Sequence, residues 1–118
     1  MILRLKKRKV LLAIVFLIGF IGFLIPEKLI IPVEKATFKD WNENTFWFEP
    51  WGKSVVHKGI DVFGKRGTSL LSASKGVVLY TGNIELGGNI VIVLGPKWRI
   101  HYYSHLDAIT TQTLSLLY

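Results

Sequence analysis

The sequence predicts a small, mainly antiparallel β-sheet domain behind one N-terminal transmembrane helix. Three observations predict it. An unbroken apolar run from Val10 to Ile25 follows five cations, no helical periodicity appears after that run, and four short Val-, Ile- and Tyr-rich segments are separated by glycines.

The N-terminal element comes first. Arg4, Lys6, Lys7, Arg8 and Lys9 define a basic segment at 1–9, and the apolar run closed by Pro26 defines an anchor at 10–26. Sixteen helical residues reach about 24 Å against a hydrocarbon core of about 30 Å, so the span is marginal. A basic start and an apolar middle also describe a secretory signal peptide. No A-x-A-like cleavage site follows, only Pro26-Glu-Lys-Leu-Ile-Ile-Pro32, which favours an uncleaved anchor. Cations beside a span stay on the cytoplasmic side. The expectation is therefore a single-pass protein of the cytoplasmic membrane with its C-terminal domain extracytoplasmic.

Residues 27–40 read as a linker, and 41–118 as the β domain. The domain opens on Trp41-Asn-Glu-Asn-Thr-Phe-Trp-Phe-Glu-Pro-Trp51, whose aromatic side chains are expected to pack under the sheet rather than line a substrate groove. Strands are expected at Asp61 to Phe63, Gly76 to Thr81, Asn89 to Leu94 and Trp98 to Ser104, with Gly64, Gly82, Gly87-Gly88 and Gly95-Pro96 as breaks. Gly95-Pro96 predicts an antiparallel hairpin between the last two.

Charge limits the partners. The five leading cations supply most of the formal net charge of +7, leaving ten Lys and Arg against eight Asp and Glu. Nothing in that remainder has the clustered, aromatic-interleaved cations of a nucleic-acid surface, so no nucleic-acid partner is expected. The absence of Cys excludes disulfides and thiolate metal sites.

The most informative motif is His57-Lys-Gly-Ile-Asp61, because an imidazole and a carboxylate can form half of a zinc site. On a straight strand the two would share a face about 13 Å apart, too far for ligands each about 2 Å from one ion. A helix would bring positions i and i+4 together. The flanking Val55, Val56, Ile60, Val62 and Phe63 favour strand instead, so a bend at Gly59 is the better solution.

Downstream come Gly67-Thr-Ser-Leu-Leu-Ser-Ala-Ser-Lys-Gly76, then Gly87-Gly-Asn-Ile-Val-Ile-Val, then Tyr103-Ser-His-Leu106. In this order, from about Phe46 to Asp107, the chain resembles the lysostaphin-type zinc metalloendopeptidases that cut the peptide part of peptidoglycan. The resemblance implies that His57 and Asp61 are the first two zinc ligands. It also implies that His105 is a catalytic histidine that does not bind the metal. The family carries a later His-x-His, whose second His is the third ligand and whose first is another catalytic group, and the segment after Asp107 has no such motif. The chain thus reads as a C-terminally truncated member with an incomplete sheet, membrane-anchored and inactive as given, its expected partner being a peptidoglycan peptide.

His101 is the remaining histidine. On a straight strand from Trp98 to Ser104, His101, Tyr103 and His105 would face one way, with about 13 Å between the two His backbones. His101 is therefore expected to pack or line a groove rather than replace the missing ligand. The alternative function is a non-catalytic wall-binding or hydrolase-regulating module, against which the intact His57, Asp61 and His105 argue. A biotinyl- or lipoyl-like carrier, suggested by Ser72-Ala-Ser-Lys75, is the poorest fit because Lys75 lacks a flanking Met.

Overall fold

The computed structural model describes residues 2–50 and 55–118, in two compact units. One unit comprises the chain up to Leu29 together with Ser74–Tyr118, and the other comprises Ile30–Ala73.

In the first unit, helix α1 covers Ile2–Leu24, and a four-stranded antiparallel sheet is built from β3 (Gly76–Ile84), β4 (Gly88–Leu94), β5 (Ile100–Leu106) and β6 (Leu116–Leu117). The order is β5-β4-β3-β6, so β4 and β3 are central. Their side chains explain that position. Val78 and Val93 are register partners, both fully buried, and Val91 joins them in a cluster packed by Tyr103, Leu106, Ile109 and Leu117. Burying a Val of this kind contributes about 1.5–3 kcal/mol.

Gly76 enters β3 beneath β4. A Cβ there would lie 2.5 Å from the Leu94 carbonyl oxygen and 2.6 Å from Val93 Cγ1, so only glycine allows this approach. Both long strand pairs are bulged. Leu79 is the extra residue between Val78↔Val93 and Tyr80↔Ile92, and on β5 both Ser104 and His105 stand opposite Ile90, between Asn89↔Leu106 and Val91↔Tyr103.

The expected hairpin joins β4 to β5. Its turn is a 3₁₀ segment, Pro96–Trp98, closed by the Gly95 N–H donating to the Arg99 carbonyl at 2.8 Å. Trp98, expected within a strand, belongs to this turn, and its indole N–H donates to the Gly19 carbonyl of α1 at 2.9 Å.

The N-terminal expectation is corrected. A helix does form over the apolar run, but among the described residues no helix is long and apolar enough to cross a membrane. The physical reason is length: α1 ends at Leu24, its early turns hold the five cations, and the apolar part from Val10 spans only about 22 Å. The single-pass placement in the cytoplasmic membrane is overturned. The extracytoplasmic orientation falls with it, because the cation rule applies to spanning segments.

In the second unit, residues 30–34 run against 69–73. The Ile30 N–H donates to the Ala73 carbonyl, Leu71 to Pro32 and Glu34 to Ser69, around the Val33↔Leu70 bridge, and Val33 is buried. Further along, β1 (Trp41–Asn42) pairs antiparallel with β2 (Asp61–Val62). The aromatic packing expectation is also corrected. Trp41, Phe46, Trp47 and Phe48 are exposed, and their segment meets its neighbours through backbone hydrogen bonds. Trp51 lies outside the described residues.

Replacing Gly76 with Ala should destabilise the chain by about 1–3 kcal/mol through overpacking against Leu94 and Val93, as read by urea or thermal unfolding. An unchanged midpoint would show that β3 does not pinch against β4 in this way.

Candidate metal pair and catalytic histidine

His57 and Asp61 lie four residues apart in a chain that bends at Gly59. The bend brings His57 Nε2 to 3.7 Å from Asp61 Oδ1. Two donors each about 2 Å from one zinc ion can be at most about 4 Å apart, so this spacing fits a shared metal. Gly59 itself is not in the left-handed region. A Cβ there would meet only His57 Nε2, at an ordinary 3.7 Å, so the bend does not require glycine's freedom.

What holds the bend closed is the segment before it. The Trp47 N–H donates to the His57 carbonyl at 2.6 Å, and the His57 N–H donates to the Phe48 carbonyl at 3.0 Å. On the far side, Asn42 pairs with Asp61, and the Phe63 N–H donates to the Asp40 carbonyl at 2.7 Å. Between them lies Thr45, at the end of the 3₁₀ turn Glu43–Thr45 that Asn42 caps through its side-chain oxygen. Its carbonyl oxygen is 2.7 Å from His57 Nδ1, and its hydroxyl accepts the Asp61 N–H at 3.1 Å.

The Thr45 carbonyl can only accept, so Nδ1 carries the hydrogen. In a neutral ring the lone pair is then on Nε2, the atom that faces Asp61. Metal-binding imidazoles are oriented in this way by a hydrogen bond from their other nitrogen. The donor set, one imidazole and one carboxylate, suits zinc. Among the described residues, no group of three or more His, Asp or Glu converges on one point.

His105 stands at the β5 bulge with φ +58°, a left-handed conformation that His adopts more readily than most residues. Its backbone N–H donates to the Gly87 carbonyl at 2.7 Å. Beyond it, Asn89 donates from Nδ2 to the carbonyls of Leu106, at 3.0 Å, and Asp107, at 3.2 Å, while its Oδ1 accepts from Asn83 Nδ2. The straight-strand expectation fails at this bulge. His101 and Tyr103 are half-buried on alternate positions, whereas His105 is exposed, because the extra residue breaks the alternation.

His101 is occupied in the first unit. Ser74 Oγ, itself buried, donates to the Lys75 carbonyl at 2.9 Å and therefore accepts from His101 Nε2 at 3.2 Å. Glu27 lies alongside: Oε2 is 3.1 Å from Arg99, and the buried Oε1 is 3.9 Å from His101 Nε2, beyond hydrogen-bond reach. An Nε2 that carries a hydrogen has no lone pair for a metal.

Two positioning features escaped sequence reading, Thr45 and the Asn83–Asn89 network. Thr45 is the one hydroxyl in an otherwise aromatic and amide-rich stretch, and Asn89 directly follows the Gly87-Gly88 break. Those were the available signals.

Comparison with known proteins matches residues 55–115, more than half of the chain, to the family model described as Peptidase family M23. The chain belongs to that family, the lysostaphin-type peptidases, which are zinc-dependent and act on peptidoglycan. It is also 27% identical over 88 residues to a protein named outer membrane antigenic lipoprotein B from Haemophilus influenzae. That similarity covers 66% of this chain and 22% of the relative, so the chain spans about a fifth of the relative's length. A relative so named gives no support to a single-pass protein of the cytoplasmic membrane. No solved structure matches significantly.

Replacing His101 with Ala should cost about 1–2 kcal/mol of stability, by removing one hydrogen-bond partner of buried Ser74, and should leave zinc uptake unchanged in a dialysis assay. Loss of bound zinc in this variant would make His101 a ligand after all.

Proposed function

We propose that this chain belongs to a peptidoglycan endopeptidase in which His57 and Asp61 are two zinc ligands and His105 is a catalytic proton-transfer residue. The observation that supports it best is the 3.7 Å approach of His57 Nε2 to Asp61 Oδ1, with the other imidazole nitrogen turned to the Thr45 carbonyl. Membership of a zinc-dependent peptidase family gives that pair its meaning.

Zinc, when bound, supplies a Lewis acid and lowers the pKa of a coordinated water to about 7. The residues of this chain have separate tasks. His57 donates from Nδ1 to Thr45 and offers Nε2 to the metal. Asp61 offers carboxylate oxygen and contributes negative charge, which holds a dication and offsets part of its field. His105, exposed on its bulge with Nδ1 on the Gly88 side, presents Nε2 to exchange a proton with a peptide substrate.

Among the described residues no third ligand joins His57 and Asp61, so the chain by itself should hold zinc weakly and cut nothing. Elemental analysis of the dialysed chain should find well under one zinc per molecule, and incubation with purified peptidoglycan should release no new peptide termini. Extending the chain with a family segment that contains His-x-His should raise zinc to one equivalent and start cleavage. In the extended protein, His57→Ala and Asp61→Ala should lose metal and activity together. His105→Ala should slow cleavage by about 10²- to 10⁴-fold with zinc retained. Chelator-sensitive hydrolysis by the unextended chain would refute its inactivity, and an extended enzyme indifferent to His105→Ala would refute the role given to that residue.

A further inference from the structure

We propose that Thr45 is the positioning residue of the metal pair, setting the tautomer of one ligand and the backbone of the other. The inference rests on the zinc reading of His57 and Asp61 and goes beyond it, because Thr45 touches no metal. Its position is unusual for its surroundings. From Trp41 to Pro50, Thr45 alone is not exposed.

Its hydroxyl and its carbonyl each have a direction fixed by their partners. The Asn42 carbonyl can only accept, so the Thr45 hydroxyl donates to it, at 2.7 Å. The Asp61 N–H can only donate, so the same hydroxyl accepts from it, at 3.1 Å. The Thr45 carbonyl can only accept, so His57 Nδ1 must donate, at 2.7 Å. Asn42 and Asp61 are also register partners across β1 and β2, so the hydroxyl ties its own turn to the strand that starts with a ligand.

The consequence is preorganisation. With the hydroxyl anchored on both sides, the Thr45 carbonyl stays where Nδ1 needs it, and Nε2 keeps its lone pair toward Asp61. Among the described residues the only other hydrogen bond to this carbonyl is a long one from the Phe48 N–H, at 3.4 Å, so loosening the hydroxyl should let the carbonyl shift, and the imidazole should then sample both tautomers. Partners of metal-binding His residues typically change metal affinity by about 10- to 100-fold when removed.

Valine has the shape of threonine without the hydroxyl, whereas serine keeps it. The test compares the whole 118-residue chain with Thr45→Val and Thr45→Ser, using zinc chloride as the probe. The nitrogen shifts of the His57 ring in the metal-free chain report the tautomer, and their change on titration reports zinc affinity. The unmodified chain should show hydrogen on Nδ1. Thr45→Val should show a tautomer mixture and about 10- to 100-fold weaker zinc binding, and Thr45→Ser should match the unmodified chain.

Thr45→Val with an unchanged tautomer and affinity would overturn the inference alone. So would Thr45→Ser as weak as Thr45→Val, because the hydroxyl would then not be the active group. Amide signals of residues 30–34 and 69–73, in the same unit, monitor its folding, and their collapse in Thr45→Val would assign Thr45 to general stability and overturn the positioning role. If zinc produces no change at His57 in the unmodified chain, the zinc reading itself fails and the inference fails with it.

Discussion

The candidate site depends on one constraint: a five-residue turn must close tightly enough to bring an imidazole and a carboxylate within the span of one ion. The turn does not draw on glycine's conformational freedom, because Gly59 is not in the left-handed region. Closure comes from outside the turn, through hydrogen bonds of residues 40–48 to His57, Asp61 and Phe63, most of them made by backbone groups of that segment. The aromatic segment therefore matters for its backbone. Its rings are exposed, and the groups that shape the site are peptide carbonyls, peptide N–H groups and one hydroxyl.

In the first unit the organising feature is the pairing of β4 with both β3 and β5, which buries Val78, Val91 and Val93. A regular ladder would carry His105 to the same face as His101 and Tyr103. The bulge at Ser104 and His105 changes that, and the cost of a positive φ at His105 is offset by its hydrogen bond to Gly87 and by Asn89 gripping the chain just beyond. Bulges often re-aim side chains beside functional sites. The same strand thus presents one histidine to solvent and commits the other to Ser74 and Glu27.

Helix α1 shows how a strong sequence signal can mislead about role. The apolar run and leading cations do form a helix, but the helix ends at Leu24 and its apolar part is too short to cross a bilayer. Within its own unit it receives the Trp98 indole N–H at Gly19, and the chain just beyond it places Glu27 against Arg99. A hydropathy pattern reports that side chains are apolar, not what they meet.

The sequence by itself determined the family, through motifs in a fixed order, together with the strand locations around Gly76, Asn89 and Ile100 and the His57–Asp61 pair. Those features rest on local chemistry: β-branched residues favour strands, glycines break them, and ligand types are written in the side chains. Tertiary structure alone decided that the aromatic segment faces outward, that His105 sits on a bulge, that His101 is tied to Ser74, and that Thr45 stands between the two candidate ligands. Each of these depends on which groups meet across long sequence separations. A hydrogen bond between Thr45 and Asp61 leaves no periodic trace in sequence, because it is fixed by the register of β1 on β2 and not by composition or spacing.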